Sequence, residues 1–126
     1  EDRMGYEEEA ARVGFEIRFG PAIRALAEAT AGGMDRGDAA ARFHATVVAA
    51  ISAGAERARR ERGLRIVALS GGTFQNGIVL EGAIDTLAAA GFDVRINERV
   101  SPNDGGIALG QAAVAARTDV VESNDR

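Results

Sequence analysis

Two glycine pairs beside polar side chains are the parts of this sequence whose residue types are suited to chemistry. The first, Ser70-Gly71-Gly72, follows a short apolar run and precedes a helix-like run. Residues without Cβ atoms permit positive φ angles and let a phosphate or ribose approach the main chain, where the next helix offers free N–H groups. A tight strand-to-helix connection that binds nothing explains the same pattern, and both interpretations stay open. Asn76 is a candidate ligand contact or helix cap, and its spacing favours the cap.

The second pair, Gly105-Gly106, follows Asp104 in the loop SPNDGG at 101–106. The Asp104 carboxylate is a candidate helix cap, a turn former, or an oxygen ligand for a divalent metal beside phosphates, and the residues alone favour the cap. His44, the sole histidine, lies beside the apolar stripe of a predicted helix and is interpreted as structural, because one histidine does not make a metal site. No catalytic residue is assigned, since nothing brings His44 to Ser70.

Hydrophobic periodicity predicts three helices ahead of these turns, at about residues 6–13, 21–31 and 38–62. The longest has an apolar residue at every fourth position, at Phe43, Val47, Ile51 and Ala55, which predicts one buried stripe. Asp35 or Asp38 is the predicted cap of this helix, and Gly63 is its predicted stop. The arginines of 57–62 are interpreted as its solvated end.

After Gly63 the hydrophobic residues no longer recur with the period of a helix. The nearly continuous apolar run 64–69 predicts a strand covered on both faces, and the alternation of residues 92–97 predicts a second strand. Between them a helix is expected from Gln75 or Asn76 to about Ala90. A small-residue helix at about 107–116 follows SPNDGG, and the polar tail 118–126 is expected to fray. This alternation predicts an α/β layer with parallel strands, in which ligands bind at the carboxyl ends of strands, where both glycine turns lie.

Composition narrows the classes of partner. With 126 residues, 46% hydrophobic and 27% charged, one domain is expected. A net charge of -4 and a pI near 5.0 argue against nucleic-acid and anionic-membrane partners. The longest uncharged apolar stretch, 45–55, is too short for the roughly 20 residues of a membrane span, and the acidic start is unlike a signal peptide, so a soluble, cytoplasmic protein is expected. Without cysteine or lysine, thiol and Schiff-base chemistry are excluded.

Two motifs together are far more specific than either alone. VALSGGTFQN at 67–76, followed by SPNDGGIALGQAAVAA at 101–116, closely resembles the C-terminal end of the HypF family, the carbamoyltransferases that mature nickel-iron hydrogenases. AARFHATVVAAI at 40–51 resembles the helix that precedes these motifs in the family, and YEEEAA at 6–11 resembles its YEGQAA stretch. The resemblance covers essentially the whole chain.

The resemblance implies a fold and a set of ligands. The region would be similar to the threonylcarbamoyl transferases of transfer-RNA modification, in the superfamily of acetate and sugar kinases, heat-shock chaperones and actin. Those proteins hold ATP between two α/β lobes, and residues 1–126 would form one subdomain of the second lobe, with helices on a small, mostly parallel sheet. Gly71 and Gly72 would contact the nucleotide, followed by Asn76 in the same motif. Asp104 would be the carboxylate ligand of a divalent metal at the phosphates. Ser70, Gly105 and Gly106 complete the predicted nucleotide-binding residues.

The resemblance implies a reaction that this chain is not expected to perform alone. The whole enzyme would use carbamoyl phosphate and ATP to form a carbamoyl adenylate and would transfer the carbamoyl group to the C-terminal cysteine of its partner HypE. The family's metal-binding histidines lie on a first-lobe helix, and no His-x-x-x-His occurs here. Glu8 and Glu9 also replace the glycine and glutamine of the family stretch. An excised, inactive piece of a longer chain is therefore expected, in keeping with a start at Glu1. The alternative is a free-standing nucleotide-binding or scaffold module that docks onto a separate lobe or self-associates.

Overall fold

The computed structural model describes the backbone of residues 7–11 and 14–124 and the side chains of residues 15–117. The elements, in chain order, are β1 (Glu7–Ala11), β2 (Gly14–Arg18), α1 (Gly20–Ala31), α2 (Arg36–Arg62), β3 (Ile66–Leu69), α3 (Gly77–Ala89), β4 (Asp93–Ile96) and α4 (Ile107–Asn124). Short 3₁₀ turns, Gly72–Gln75 and Asp104–Gly106, precede α3 and α4. The helices and the small parallel sheet β3–β4 make this an α/β fold, as predicted.

The predicted helix at 6–13 is wrong over Glu7–Ala11, which forms β1 and pairs antiparallel with β2. Tertiary packing outweighs the helical propensity of the sequence EEEAA, because β2 rests on α2. A Cβ atom added at Gly54 of α2 would lie 3.4 Å from Phe15 Cζ and 3.5 Å from Ile17 Cδ1. Tyr6, Arg12 and Val13 lie outside the described residues.

Both predicted ends of the long helix α2 are confirmed. Asp35 is the cap, since its Oδ1 accepts hydrogen bonds from the N–H groups of Gly37 at 2.7 Å and Asp38 at 3.3 Å. Gly63 ends the helix in the left-handed conformation, with φ 69°. The predicted stripe Phe43, Val47, Ile51 and Ala55 is only half-buried, and the deepest α2 residues are small ones: Ala39, Thr46, Ala49 and Ala50. Small side chains are buried there because α2 packs between α1 and α3.

The core lies between the parallel strands and α3, the helix that joins them. Its fully enclosed centre consists of Leu69 from β3, Ala83 and Leu87 from α3, and Phe92 just before β4. Ile51 and Ala55 of α2 pack against this cluster from the side. The crossover through α3 makes the strand pair parallel and aligns Ile66 with Asp93 and Leu69 with Ile96.

Only one face of β3 is covered within the described part of the chain, whereas the sequence predicts cover on both. Leu69 is buried at 3% exposure, but Ile66 is 65% exposed and the preceding Leu64 is 53% exposed. Burial on both faces is the usual state of a parallel strand, so the uncovered side of β3 has the composition of an interior surface.

The last helix is longer than predicted. α4 continues to Asn124 instead of ending near Ala116, because no glycine or proline interrupts the sequence after Gly110. The expected fraying of residues 118–126 stays a prediction. None of the helices described is both long and apolar enough to cross a bilayer.

Arg59 is a structural residue, although its position among the arginines of 57–62 predicts the solvated end of α2. Its Nη1 donates to the carbonyl oxygen of Ala90 at 2.8 Å, and its Nη2 pairs with Glu56 Oε1 at 2.5 Å. Its guanidinium carbon lies 4.3 Å from the centroid of the Phe92 ring. Arg59 thereby ties the end of α2 to the end of α3 and to the core.

We expect Arg59→Ala to lower the free energy of unfolding by about 1–2 kcal/mol, since it removes a cation–π contact and leaves the Ala90 carbonyl without its arginine donor. The matched control is Arg60→Ala, one residue farther along the same helix and exposed to solvent. This control should change the free energy by less than about 0.5 kcal/mol. Urea denaturation followed by circular dichroism measures both, and equal losses in the two variants would contradict the role of Arg59.

Candidate functional site

The two glycine turns, the first at residues 70–72 and the second at residues 101–106, meet at one end of the sheet. Because β3 and β4 run parallel, their carboxyl ends, Leu69 and Ile96, lie side by side, and the chain leaves both strands at the same edge. An open cleft of about 420 Å³ lies there. Its lining comes from both turns and consists of Ser70, Gly71, Asn97, Val100, Ser101, Pro102, Asn103, Asp104, Gly106 and Ile107. Four of the predicted site residues line this cleft, and Gly72, Asn76 and Gly105 lie outside its lining.

The first turn is held against the second through Pro102. The N–H of Gly71 donates to the Pro102 carbonyl oxygen at 2.6 Å, and the Ser70 hydroxyl donates to the same oxygen at 3.4 Å. Gly71 has φ 109° and ψ 164°, a conformation restricted essentially to glycine. The positive φ that the sequence analysis allowed for both glycines is therefore found at Gly71 and not at Gly72.

Asn76 caps α3, as its spacing predicts. Its Oδ1 accepts from the N–H groups of Ile78 at 3.1 Å and Val79 at 3.4 Å. Its Nδ2 lies 3.1 Å from Nε2 of His44 on α2. The amide of Asn76 thus connects the end of the first turn with a helix that is distant in sequence.

The cap of the second turn is Asn103, which corrects the predicted cap role of Asp104. Asn103 Oδ1 accepts from the Gly105 N–H at 2.9 Å and from the Ser101 hydroxyl at 2.8 Å, because it stands one residue ahead of the 3₁₀ turn. Asp104 is the first residue of that turn, and its side chain is exposed. A Cβ atom at Gly106 would lie 2.8 Å from the Ser101 carbonyl oxygen, so close packing of the loop on itself also requires glycine there.

Most of the glycine N–H groups at the site already have acceptors. Gly71 donates to Pro102, and Gly105 and Gly106 donate to the side chain and the carbonyl oxygen of Asn103, respectively. Within the described part of the chain, the N–H groups of Gly72 and Asp104 donate to no acceptor. These two groups begin the two 3₁₀ turns, so each is available to an anion at the start of a helical segment.

The site offers one uncommitted carboxylate. Among residues 15–117, the Asp104 carboxylate makes no hydrogen bond or ion pair, and the same residues contain no group of three or more histidine and acidic side chains that could hold a metal ion. The nearby oxygen of Asn103 already accepts two hydrogen bonds. Asp104 therefore fits the role of a single oxygen ligand, and a metal bound there needs further ligands from outside this set.

Two features of the site are not predicted from the sequence. Asn103 precedes Asp104 and Gly105 in a pattern typical of an Asx turn, which is the local signal that could have identified it as the cap. The contact between His44 and Asn76 spans 32 positions along the chain, and no local pattern signals it.

The comparisons with known proteins agree on one kind of enzyme. Residues 1–111 match the family model described as the carbamoyltransferase, Kae1-like domain, second subdomain. The chain is 42% identical over 90 residues to carbamoyltransferase HypF2 of Cupriavidus necator, with 71% of this chain and 11% of the relative covered. It is 40% identical over 99 residues to carbamoyltransferase HypF of Rhizobium leguminosarum bv. viciae, with 79% of this chain and 13% of the relative covered.

A solved structure extends the likeness to three dimensions. The chain superposes with a TM-score of 0.86 and 35% identity on full-length HypF in the phosphate- and nucleotide-bound form, covering 94% of this chain and 16% of that one. The chain therefore spans only about a tenth to a fifth of the length of the relatives it matches.

The two glycines of the first turn should respond differently to the same substitution. We expect Gly71→Ala to lower the free energy of unfolding by about 1–3 kcal/mol, because alanine is strained at φ 109° and ψ 164°. Gly72→Ala should change it by less than about 1 kcal/mol, since no atom lies within 4 Å of the added Cβ and φ is not positive. Urea denaturation of both variants tests the difference, and a similar loss in the two would disprove the distinction.

Proposed function

The chain belongs to the HypF family of carbamoyltransferases, and on that premise we propose that its two glycine turns form one wall of a nucleotide site. The observation that carries the proposal is the meeting of Ser70-Gly71 and Asp104 at one cleft, at the carboxyl ends of two parallel strands. Ligands of α/β folds bind in this position. The nucleotide-bound form of the solved relative supports the class of ligand.

Phosphate recognition at this wall rests on the main chain. The N–H groups of Gly72 and Asp104, which donate to no acceptor among the described residues and begin the two 3₁₀ turns, are the donors that we assign to phosphate oxygens, because the N-terminal ends of these turns favour negative charge. Gly71 acts indirectly, since its conformation and its bond to Pro102 hold the two turns together. The predicted roles of Ser70, Gly71, Gly72, Asn76, Gly105 and Gly106 in nucleotide binding are part of this proposal.

The whole enzyme would carry out a two-step transfer. We propose that carbamoyl phosphate, water and ATP yield a carbamoyl adenylate, phosphate and pyrophosphate, and that the C-terminal cysteine thiolate of HypE then takes the carbamoyl group and displaces AMP. This chain would bind and orient the nucleotide, without a side chain that forms a covalent intermediate. Its contribution would be orientational and electrostatic, because its N–H groups are fixed by the fold before the ligand arrives.

A divalent metal fits this proposal through Asp104. The exposed carboxylate next to an available N–H provides one hard oxygen ligand at the place where phosphates would lie. The other protein ligands would come from the first lobe of the same fold, the actin- and kinase-like architecture that the resemblance implies. When bound, the metal would neutralise phosphate charge.

A second candidate function starts from the uncovered face of β3. Exposed Ile66 and Leu64 extend an apolar surface that a monomeric domain usually covers. That surface suits either another part of the same polypeptide or a separately encoded lobe onto which a free-standing nucleotide-binding module docks. In the first case residues 1–126 are one subdomain of the enzyme, and in the second they form a domain of their own.

The isolated 126 residues should be catalytically inert, since they hold half a cleft and one metal ligand. Incubation with ATP, carbamoyl phosphate, magnesium and a HypE acceptor should leave the acceptor cysteine unmodified in intact-mass analysis. The full carbamoyltransferase is the positive control. If the isolated chain increased the mass of the acceptor by one carbamoyl group, the proposal that the active site needs a second part of the enzyme would be refuted.

Asp104→Ala in the full enzyme should raise the metal concentration needed for half-maximal activity by at least about 10-fold, because loss of a direct ligand exceeds the usual effect of losing an outer partner. Asp85→Ala is the matched control, since Asp85 is also an exposed carboxylate but lies on α3, outside the cleft lining. Metal titrations of activity measure both variants. An unchanged metal requirement in Asp104→Ala would remove Asp104 from the ligand set.

The mass of the native polypeptide that contains LSGGTFQN separates the two candidate functions. A product several times heavier than 13.1 kDa is expected if the chain is a subdomain of a carbamoyltransferase. A product of about 13.1 kDa would favour the docking module. Capture from source cells with an antibody against this sequence, followed by mass spectrometry, gives the answer.

A further inference from the structure

His44 and Asn76 belong to different sequence motifs, yet their side chains meet. His44 lies in AARFHATVVAAI on α2, and Asn76 ends the motif VALSGGTFQN. The 3.1 Å separation between His44 Nε2 and Asn76 Nδ2 is a hydrogen-bond distance. His44 is half-buried and Asn76 is exposed.

The chemistry of the two groups fixes which nitrogen carries the proton. Asn76 Oδ1 accepts from the backbone N–H groups of Ile78 and Val79, and only the amide oxygen can do so. The amide nitrogen, which is a donor only, must then face His44. His44 Nε2 is therefore the acceptor, and the neutral ring carries its proton on Nδ1.

Asn76 stands where the glycine turn becomes a helix. Its N–H donates to the Thr73 carbonyl oxygen at 3.2 Å and closes the 3₁₀ turn, and its own carbonyl oxygen accepts from the Leu80 N–H at 3.0 Å in α3. A group that holds the Asn76 side chain therefore acts on the turn and on the helix together. Gly72, with its available N–H, lies at the start of the same turn.

The contact between His44 and Asn76 also lies beside the packed interface between α2 and α3. One helical turn after His44, Val48 packs closely on Gly82, where a Cβ atom would lie 3.1 Å from Val48 Cγ2. Both His44 and Val48 line the groove between the helices, with Ile78 and Gly82 on the opposite side. Apolar packing sets the spacing of the two helices, and the hydrogen bond adds a directional contact at the end nearest the cleft.

From these contacts we propose that His44 is a positioning residue of the first glycine turn. Its neutral Nδ1–H tautomer accepts from Asn76, keeps the amide oxygen on the N-terminus of α3, and so sets the orientation of the turn from Gly72 to Gln75. The role in nucleotide binding rests on the proposed function of the cleft, whereas the tautomer and the orientation of the amide do not. This assignment replaces the interpretation of His44 as a purely structural residue.

The first test is spectroscopic and needs no ligand. Long-range proton–nitrogen correlation spectra of the 126-residue chain, recorded at a pH where the ring is neutral, report which ring nitrogen of His44 carries hydrogen. We expect a protonated Nδ1 and an unprotonated Nε2. A ring protonated at Nε2 would overturn the proposal, because it could not accept from Asn76.

The second test uses two variants of the full carbamoyltransferase and ATP with magnesium as the probe. His44→Leu removes the acceptor and should weaken ATP binding by about 3- to 10-fold, the equivalent of one modest hydrogen bond. His44→Gln offers an oxygen acceptor and should recover affinity to within about 2-fold.

Three outcomes have distinct meanings. Rescue by glutamine but not by leucine, with similar unfolding free energies in both, supports positioning. Equal ATP affinity in the leucine and glutamine variants would show a merely structural histidine and overturn the proposal. Equal losses of affinity that match losses in the free energy of unfolding would do the same. If the parent enzyme binds no ATP at this cleft, the proposed function fails, while the tautomer measurement still decides whether His44 orients Asn76.

Discussion

Two parallel strands require a crossover between them, and here the crossover is α3. The burial of Ala83 and Leu87 of α3 against Leu69 and Phe92 fixes the helix on the sheet, and this packing brings the ends of β3 and β4 to one edge. The cleft depends on that arrangement, since its lining comes from the two segments that leave those strands. A change in the α3 core would therefore move the glycine turns apart even though none of its residues lines the cleft.

The structural features that could be predicted from the sequence are those that depend on short local patterns. The caps Asp35 and Asn76, the stop at Gly63 and the parallel pair flanking α3 each follow from a short pattern, and all are present in the structure. The β1 strand was missed because glutamate and alanine favour a helix, and only its pairing with β2 makes it a strand. Long-range contacts carried no local signal, which is why Arg59 and His44 were assigned no specific partners.

The glycines of the site show why residue type alone did not define their roles. Gly71 is required by its backbone conformation, and Gly106 by the nearness of the Ser101 carbonyl oxygen. Neither requirement involves a ligand. Gly72 has no such constraint within the described residues, since its φ is not positive and its added Cβ would meet no atom within 4 Å. Of these three glycines, Gly72 is the one at which fold and ligand can be tested separately.

The groups that have no partner within the described residues indicate how ligand binding would be shared between this chain and another lobe. This chain leaves the N–H groups of Gly72 and Asp104 and the Asp104 carboxylate uncommitted in the two turns, and an apolar strand face uncovered on β3. A single wall of this kind binds weakly by itself, because the ligand keeps much of its freedom and its water. Closure by the first lobe proposed above would raise the strength of each of these contacts by excluding water. Dependence on that lobe is therefore expected from the chemistry of this wall, independently of the length of the chain.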